Sequence, residues 1–191
     1  MIAGLRNPHV VRPAIVFGAT TMAAGIFVTF LPLAATHATA NVAALALLCQ
    51  PAAAIGGRWI AGRYSDRHVA GGGATSLLVP GVLVIAVGIA LLGLTASPVA
   101  VVTGALLFGI GFGVVQNASQ MVMYNTVPES AYSMVSAVWN LAYDAGMGIG
   151  AAGFGVLAAH TGYPGGFALT AIVLPIPLLL VVRRGRGTTG S

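Results

Sequence analysis

Arg58-Trp59-Ile60-Ala61-Gly62-Arg63-Tyr64-Ser65-Asp66-Arg67 is a basic segment between two apolar runs, and its reading decides the fold class. It holds three of the eight basic residues of this 191-residue chain, all of them arginine. A membrane helix needs about 20 apolar residues. Working outward from the basic segment, the apolar runs divide into six spans at 14–35, 41–61, 77–94, 99–124, 132–160 and 167–182. With six spans, Arg6, Arg12, Arg58, Arg63, Arg67, Arg183, Arg184 and Arg186 all fall on one side. Arginine-rich short loops stay in the cytoplasm. The expectation is a multi-pass inner-membrane protein, a single domain over 1–191, with cytoplasmic tails at 1–13 and 183–191.

Composition supports that class. The chain is 58% hydrophobic and 6% charged, with a mean hydropathy of +0.96, whereas soluble domains carry about 25% charged residues. The pI near 10.2 does not indicate nucleic acid. The arginines sit at helix ends rather than on one face interleaved with aromatics. The single cysteine, Cys49, permits no intrachain disulfide and reads as a packing residue. Ala38-Thr39-Ala40 resembles a signal-peptide cleavage site, but the run before it exceeds the about 7–15 residues of a signal core. That run is read as a retained helix.

Short connections are marked by Gly71-Gly72-Gly73, Ser97-Pro98, Pro128 and Tyr163-Pro164-Gly165-Gly166. Thr126-Val127-Pro128-Glu129 fits a capping box at the start of the fifth span, which gives Glu129 a structural role. Polar residues are unevenly spread. Thr20, Thr21 and Thr29 lie in the first span, Gln50 in the second, Gln116, Asn117, Ser119 and Gln120 in the fourth, and Ser133, Ser136, Asn140 and Asp144 in the fifth. The third and sixth spans are almost purely aliphatic and so face lipid. The expected architecture is therefore all-α, with six transmembrane helices arranged as two three-helix repeats. Glycines concentrated in the fourth and fifth spans allow backbones to approach closely.

Three signatures carry a resemblance. Gly62-Arg63-Tyr64-Ser65-Asp66-Arg67 is similar to a cytoplasmic loop motif, with His68-Val69-Ala70-Gly71 where further basic residues usually follow. Gly109-Ile110-Gly111-Phe112-Gly113 resembles a glycine-rich tenth helix. Val127-Pro128-Glu129, followed by the run from Asn140 through Asp144 to Gly150, is similar to the loop and eleventh helix of bacterial drug- and sugar-efflux-like permeases. Together they resemble the C-terminal six-helix half of the major facilitator superfamily. That resemblance implies proton-coupled export of a small organic molecule along a path between two such halves. It also implies a second half, on a separate chain or in a second copy.

Asp144 is the sole acidic residue deep in a span. Twelve residues from Tyr132, it lies about 18 Å along the helix. A charge at that depth costs about 2.5–3.5 kcal/mol, so it should face the interior and hold a partner or a proton. It is the candidate proton-coupling residue, with a structural carboxylate held by Asn140, Tyr143 or an adjacent helix as the alternative. Gln116, Gln120 and Tyr124 share one helical face, as do Asn140 and Asp144. Gln50, Gln116, Asn117, Gln120 and Asn140 are candidate cavity residues. The alternative for each is an interhelical hydrogen bond worth about 0.6 kcal/mol. Gly62, Asp66 and Arg67 form the candidate loop motif, implied by the resemblance to latch helices, or else simply to anchor a helix end.

Enzyme chemistry is not expected. Neither His-Glu-x-x-His nor Gly-x-Ser-x-Gly occurs. A second intramembrane aspartate for an aspartyl protease is lacking. His9, His37, His68 and His160 are dispersed, and no phosphate-binding loop is present, so no metal or other cofactor is implied. The expected partners are the lipid bilayer, a small-molecule substrate and the second half, with no nucleic acid. The alternative function is a non-transporting module, either truncated or partner-binding.

Overall fold

Asn7-Pro8 starts the first helix by ordinary capping chemistry. The Asn7 side chain accepts the His9 backbone N–H at 3.0 Å, and Pro8 at the first position forfeits no intrahelical bond. The computed structural model describes residues 7–36, 39–68 and 73–179, and in it this helix, α1, runs Pro8–Ala34. It is followed by α2 (Ala40–Arg67), α3 (Gly73–Leu92), α4 (Pro98–Tyr124) and α5 (Tyr132–Val173). Short 3-10 turns occupy Glu129–Ala131 and Ile176–Leu178. Ser97 caps α4 by accepting the Ala100 N–H at 3.4 Å. Among the described residues, five helical stretches are long and apolar enough to cross a membrane. Arg6, His37, Gly71, Gly72, Arg183, Arg184, Arg186, the expected tails at 1–6 and 183–191 and the last residues of the sixth expected span, 180–182, lie outside the described residues.

Three local expectations need correcting. Gly62, Asp66 and Arg67 do not form a loop but occupy the closing turns of α2. The helix runs on through Gly62 and ends at Arg67, with His68 as its C-cap. The capping box is not made. The Thr126 hydroxyl turns back to donate to the Met123 carbonyl at 2.9 Å, and Glu129 opens a 3-10 turn rather than sitting inside α5. Pro128 is the reason, because its ring pushes the preceding residue out of helical geometry. The expected linker Tyr163-Pro164-Gly165-Gly166 is helical. The break falls one residue earlier, at Gly162, with φ 69° and ψ 168°.

The fifth and sixth expected spans thus become two arms of α5, 132–161 and 163–173. Pro164 is tolerated because it sits in the first turn of the second arm. That arm folds back on the first, placing the Phe154 and Phe167 rings 5.0 Å apart. Pro175 and Pro177 then end it in a 3-10 turn. The Gly162 backbone lies in a region open essentially to glycine alone. Gly162→Ala is expected to cost about 1–3 kcal/mol, read as a lowered thermal midpoint in detergent. An unchanged midpoint would mean the hairpin does not depend on this conformation.

α2 packs on α4, α4 on α1, and α1 on α5, giving a row with α2 and α5 at its ends. α3 lies against α4 and α5. Phe17, Phe27, Phe108 and Phe112 fill the α1–α4 contact, with Phe27 stacked on Phe108 at 5.0 Å. The α1–α2 link is tied to the α3–α4 link where the Thr39 hydroxyl donates to the Thr95 carbonyl at 2.9 Å. The opposite end carries the described arginines: Arg12 early in α1, and Arg58, Arg63 and Arg67 late in α2.

Two seams between parallel helices correspond contact for contact. A side chain at Gly57 would strike Ile110, one at Gly113 would strike Ala54, and one at Gly109 would strike Gln50 and Ala53. On the other seam, Gly150 meets Met22, Gly25 meets Met147, and Gly146 meets Thr21 and Gly18. A shift of 88 residues carries Thr21, Met22 and Gly25 to Gly109, Ile110 and Gly113, and one of 93 carries Ala53, Ala54 and Gly57 to Gly146, Met147 and Gly150. The α2–α4 seam and the α1–α5 seam are therefore built to one pattern.

Candidate functional site

The α4 candidates lie on the half-buried part of that helix. Gln116, Asn117 and Gln120 are each half-buried. The Gln116 Oε1 and Asn117 Oδ1 atoms are buried and have no hydrogen-bond partner among the described residues. An unsatisfied buried acceptor costs about 1–3 kcal/mol, so these oxygens call for a donor from water or a solute. Tyr124, two turns on from Gln116 along the same face, is bonded through its hydroxyl to Ser136 Oγ at 2.6 Å. Its ring meets Tyr132 edge-on at 4.8 Å. This pair ties the end of α4 to the beginning of α5.

The α5 candidates face the other way. Asn140 and Asp144 lie on an exposed stripe with Ser133, Ala137 and Gly148. Among the described residues, no ion pair or hydrogen bond reaches Asp144. The carboxylate was expected to face the interior with a partner or a proton; it lies on the exposed side of α5, and among the described residues no side chain partners it. The reason lies in the packing. Gly146 and Gly150, on the opposite side of α5, are drawn against α1 and fix which face is left over.

An aromatic wedge separates the two groups. Phe17 of α1 stacks on Trp139 at 4.4 Å, and lies 6.3 Å from Phe112 and 6.2 Å from Tyr143. Phe112 is one turn before Gln116, and Trp139 immediately precedes Asn140. The Trp139 Nε1 donor is buried without a partner among the described residues. The wedge was not foreseen, although an indole next to the polar stripe was a usable signal. Gln50 stands apart in the α2–α4 seam, where its backbone carbonyl, not its side chain, lies against Gly109.

At the arginine-bearing end, Asp66 and Arg67 are exposed, and the Arg63 guanidinium sits 4.5 Å from the Trp59 ring centre. A polar cavity of about 250 Å³ there is walled in part by Ser65, Thr75 and Asn125. Between α1 and the two arms of α5 runs an apolar groove of about 480 Å³, walled in part by Met22, Ile149 and Phe154.

This arrangement supplies neutral acceptors on α4, an indole donor behind them and one carboxylate on a stripe of small residues. It can hydrogen-bond a neutral solute or hold a proton. A family profile described as Major Facilitator Superfamily matches residues 13–189. No curated protein matches the chain.

Proposed function

The chain belongs to the major facilitator superfamily, and from that premise we propose that it supplies one half of the path of a proton-coupled exporter of small organic molecules. As a family member it is a multi-pass membrane protein that moves a small molecule across a bilayer. The observation that carries the finer reading is the exposed stripe on α5. An aspartate in mid-span cannot be left against hydrocarbon, because neutralising or pairing it is worth several kcal/mol. The stripe therefore faces an aqueous path covered by a second six-helix unit. In that setting Asp144 takes up and releases the coupling proton, while Gln116, Asn117, Gln120 and Asn140 hydrogen-bond the substrate.

The matching seams support a division into two three-helix repeats. Residue shifts of 88 and 93 relate α1 to α4 and α2 to the first arm of α5, and these pairs run in opposite directions through the bundle. Such an inverted relation is the pattern of transporters that rock about a central site. On this reading the second arm of α5 completes the second repeat as a sixth span. The arginine-bearing end is cytoplasmic by the positive-inside rule, and Asp66 and Arg67 lie where a latch between helices would form.

Vesicles containing the purified chain, given an imposed pH gradient, test this with ethidium as the probe. Gradient-dependent ethidium movement above that of empty vesicles is the expected result. Movement that persists unchanged when the gradient is collapsed would contradict proton coupling.

A further inference from the structure

We propose that the second unit is another copy of this chain, docked so that Arg58 on α2 of each copy pairs with Asp144 on α5 of the other. The proposal rests on the reading that the α5 stripe needs a cover, and it names that cover.

Among the exposed helix faces, two lie at the two ends of the row α2–α4–α1–α5. On α2 the bare face includes Ala44, Leu48, Ala52, Ile55 and Trp59, with Leu48 73% exposed. On α5 it includes Ala137, Leu141, Ala145, Gly148 and Ala152. The shift of 93 residues that relates the two seams also carries each of these α2 positions onto the corresponding α5 position. The two faces therefore occupy equivalent places in the architecture. A two-fold pairing sets α2 of one copy against α5 of the next, twice over, as self-complementary association requires. It also closes over the α1–α4 pair between them.

Charge selects this partner. Arg58 and Asp144 are the charged residues set well in from the helix ends on these faces. Both are exposed, and among the described residues neither has an ion-pair partner. Charged side chains inside membrane spans pair with one another or line water. Their depths agree. Tyr132 packs on Tyr124, and Ser65 shares a cavity wall with Val122, so α2 ends and α5 begins at the same level. From that level, Asp144 lies about 18 Å into the span and Arg58 about 14 Å. The long arginine side chain covers the remaining difference. Trp59 and Asn140 both lie about 12 Å deep, which sets an indole N–H opposite an amide oxygen. The flanking Ala and Gly residues let the two helices come close enough for both contacts while the path is shut, and both contacts part when it opens to water.

The test is a charge exchange. The full chain and its variants Arg58→Asp, Asp144→Arg and the double exchange are reconstituted in lipid vesicles. Dimer fraction is read by energy transfer between labelled copies as lipid dilutes the protein. The wild type should dimerise. Each single reversal should weaken dimerisation at least about tenfold, and the double exchange should recover most of that loss. A wild type that is monomeric at every dilution, or a double exchange no better than the worse single variant, overturns the proposal. Should a reversal fail to fold, Arg58→Gln and Asp144→Asn serve instead. If the pair forms, their combined effect falls well short of additive, and simple additivity overturns it. Transport by a chain that stays monomeric would remove both the dimer and the second unit from the account, leaving only proton-coupled transport standing. A dimer that moves nothing would do the reverse.

Discussion

Replacing Asp144 with Asn is expected to abolish gradient-driven ethidium movement, bringing it to the level of empty vesicles, while leaving the amount of folded protein unchanged. The side chain keeps its size and its acceptor oxygen, so packing in α5 is undisturbed. Within the chain it loses only the ability to exchange a proton, and between copies the charge that pairs with Arg58. Because Asp144 is exposed on its helix and bonded to nothing among the described residues, the substitution breaks no contact within the chain. A structural carboxylate would behave differently, with loss of folded protein accompanying loss of movement. Normal folding with normal gradient-dependent movement would remove Asp144 from the coupling role. Glu in the same place keeps the proton chemistry, and partial retention of movement is expected for Asp144→Glu.

The second large effect is on stability. Gly146→Ala places a methyl group against the Thr21 hydroxyl and the Gly18 carbonyl, both on α1. Those atoms cannot both yield, because the Thr21 hydroxyl is itself held by the Gly18 carbonyl at 2.8 Å and reaches the Ala142 carbonyl at 3.1 Å. The α1–α5 seam must open, at a cost of about 1–3 kcal/mol or more. Gly148 is the control. It lies two residues away on the same helix, where an added methyl meets nothing. There Gly148→Ala is expected to be neutral or to gain up to about 1 kcal/mol from helix propensity. Thermal unfolding in detergent compares the pair. Equal midpoints for the two variants would mean that the seam is not close-packed.

The placement of these two residues shows what could be read from the chain before its structure. Asp144 was visible because it is an isolated acid in an apolar run, a signal that needs no tertiary knowledge. Its direction was not visible. Which side of α5 is bare depends on Gly146 and Gly150 meeting residues more than a hundred positions away, and local pattern carries no record of that. The start at Pro98 lies next to the expected 99–124 span, but the first helix begins at Pro8, inside the expected tail 1–13, where Asn7 supplies a cap that hydropathy does not register. Helix ends were harder. The closing turns of α2 look like a loop because they are charged, yet charge does not stop a helix. The motif Thr126 to Glu129 looks like a cap, yet Pro128 prevents one. The hairpin at Gly162 was placed one residue late, because Pro and Gly together mark a turn without saying which of them breaks the helix.

The central claim is that the α5 stripe lines a watery path rather than facing lipid. Cysteine accessibility tests it most directly, since Cys49 is the sole native thiol and can be replaced by Ser. Single cysteines at Ala137, Asn140 and Gly148 are compared, in intact cells, with one at the exposed apolar residue Ile172 on the second arm of α5. A charged, membrane-impermeant thiol reagent is expected to modify the three stripe positions and to spare position 172. If the stripe cysteines prove as unreactive as the one at 172, the stripe faces hydrocarbon or sealed protein, and the account of the path is wrong.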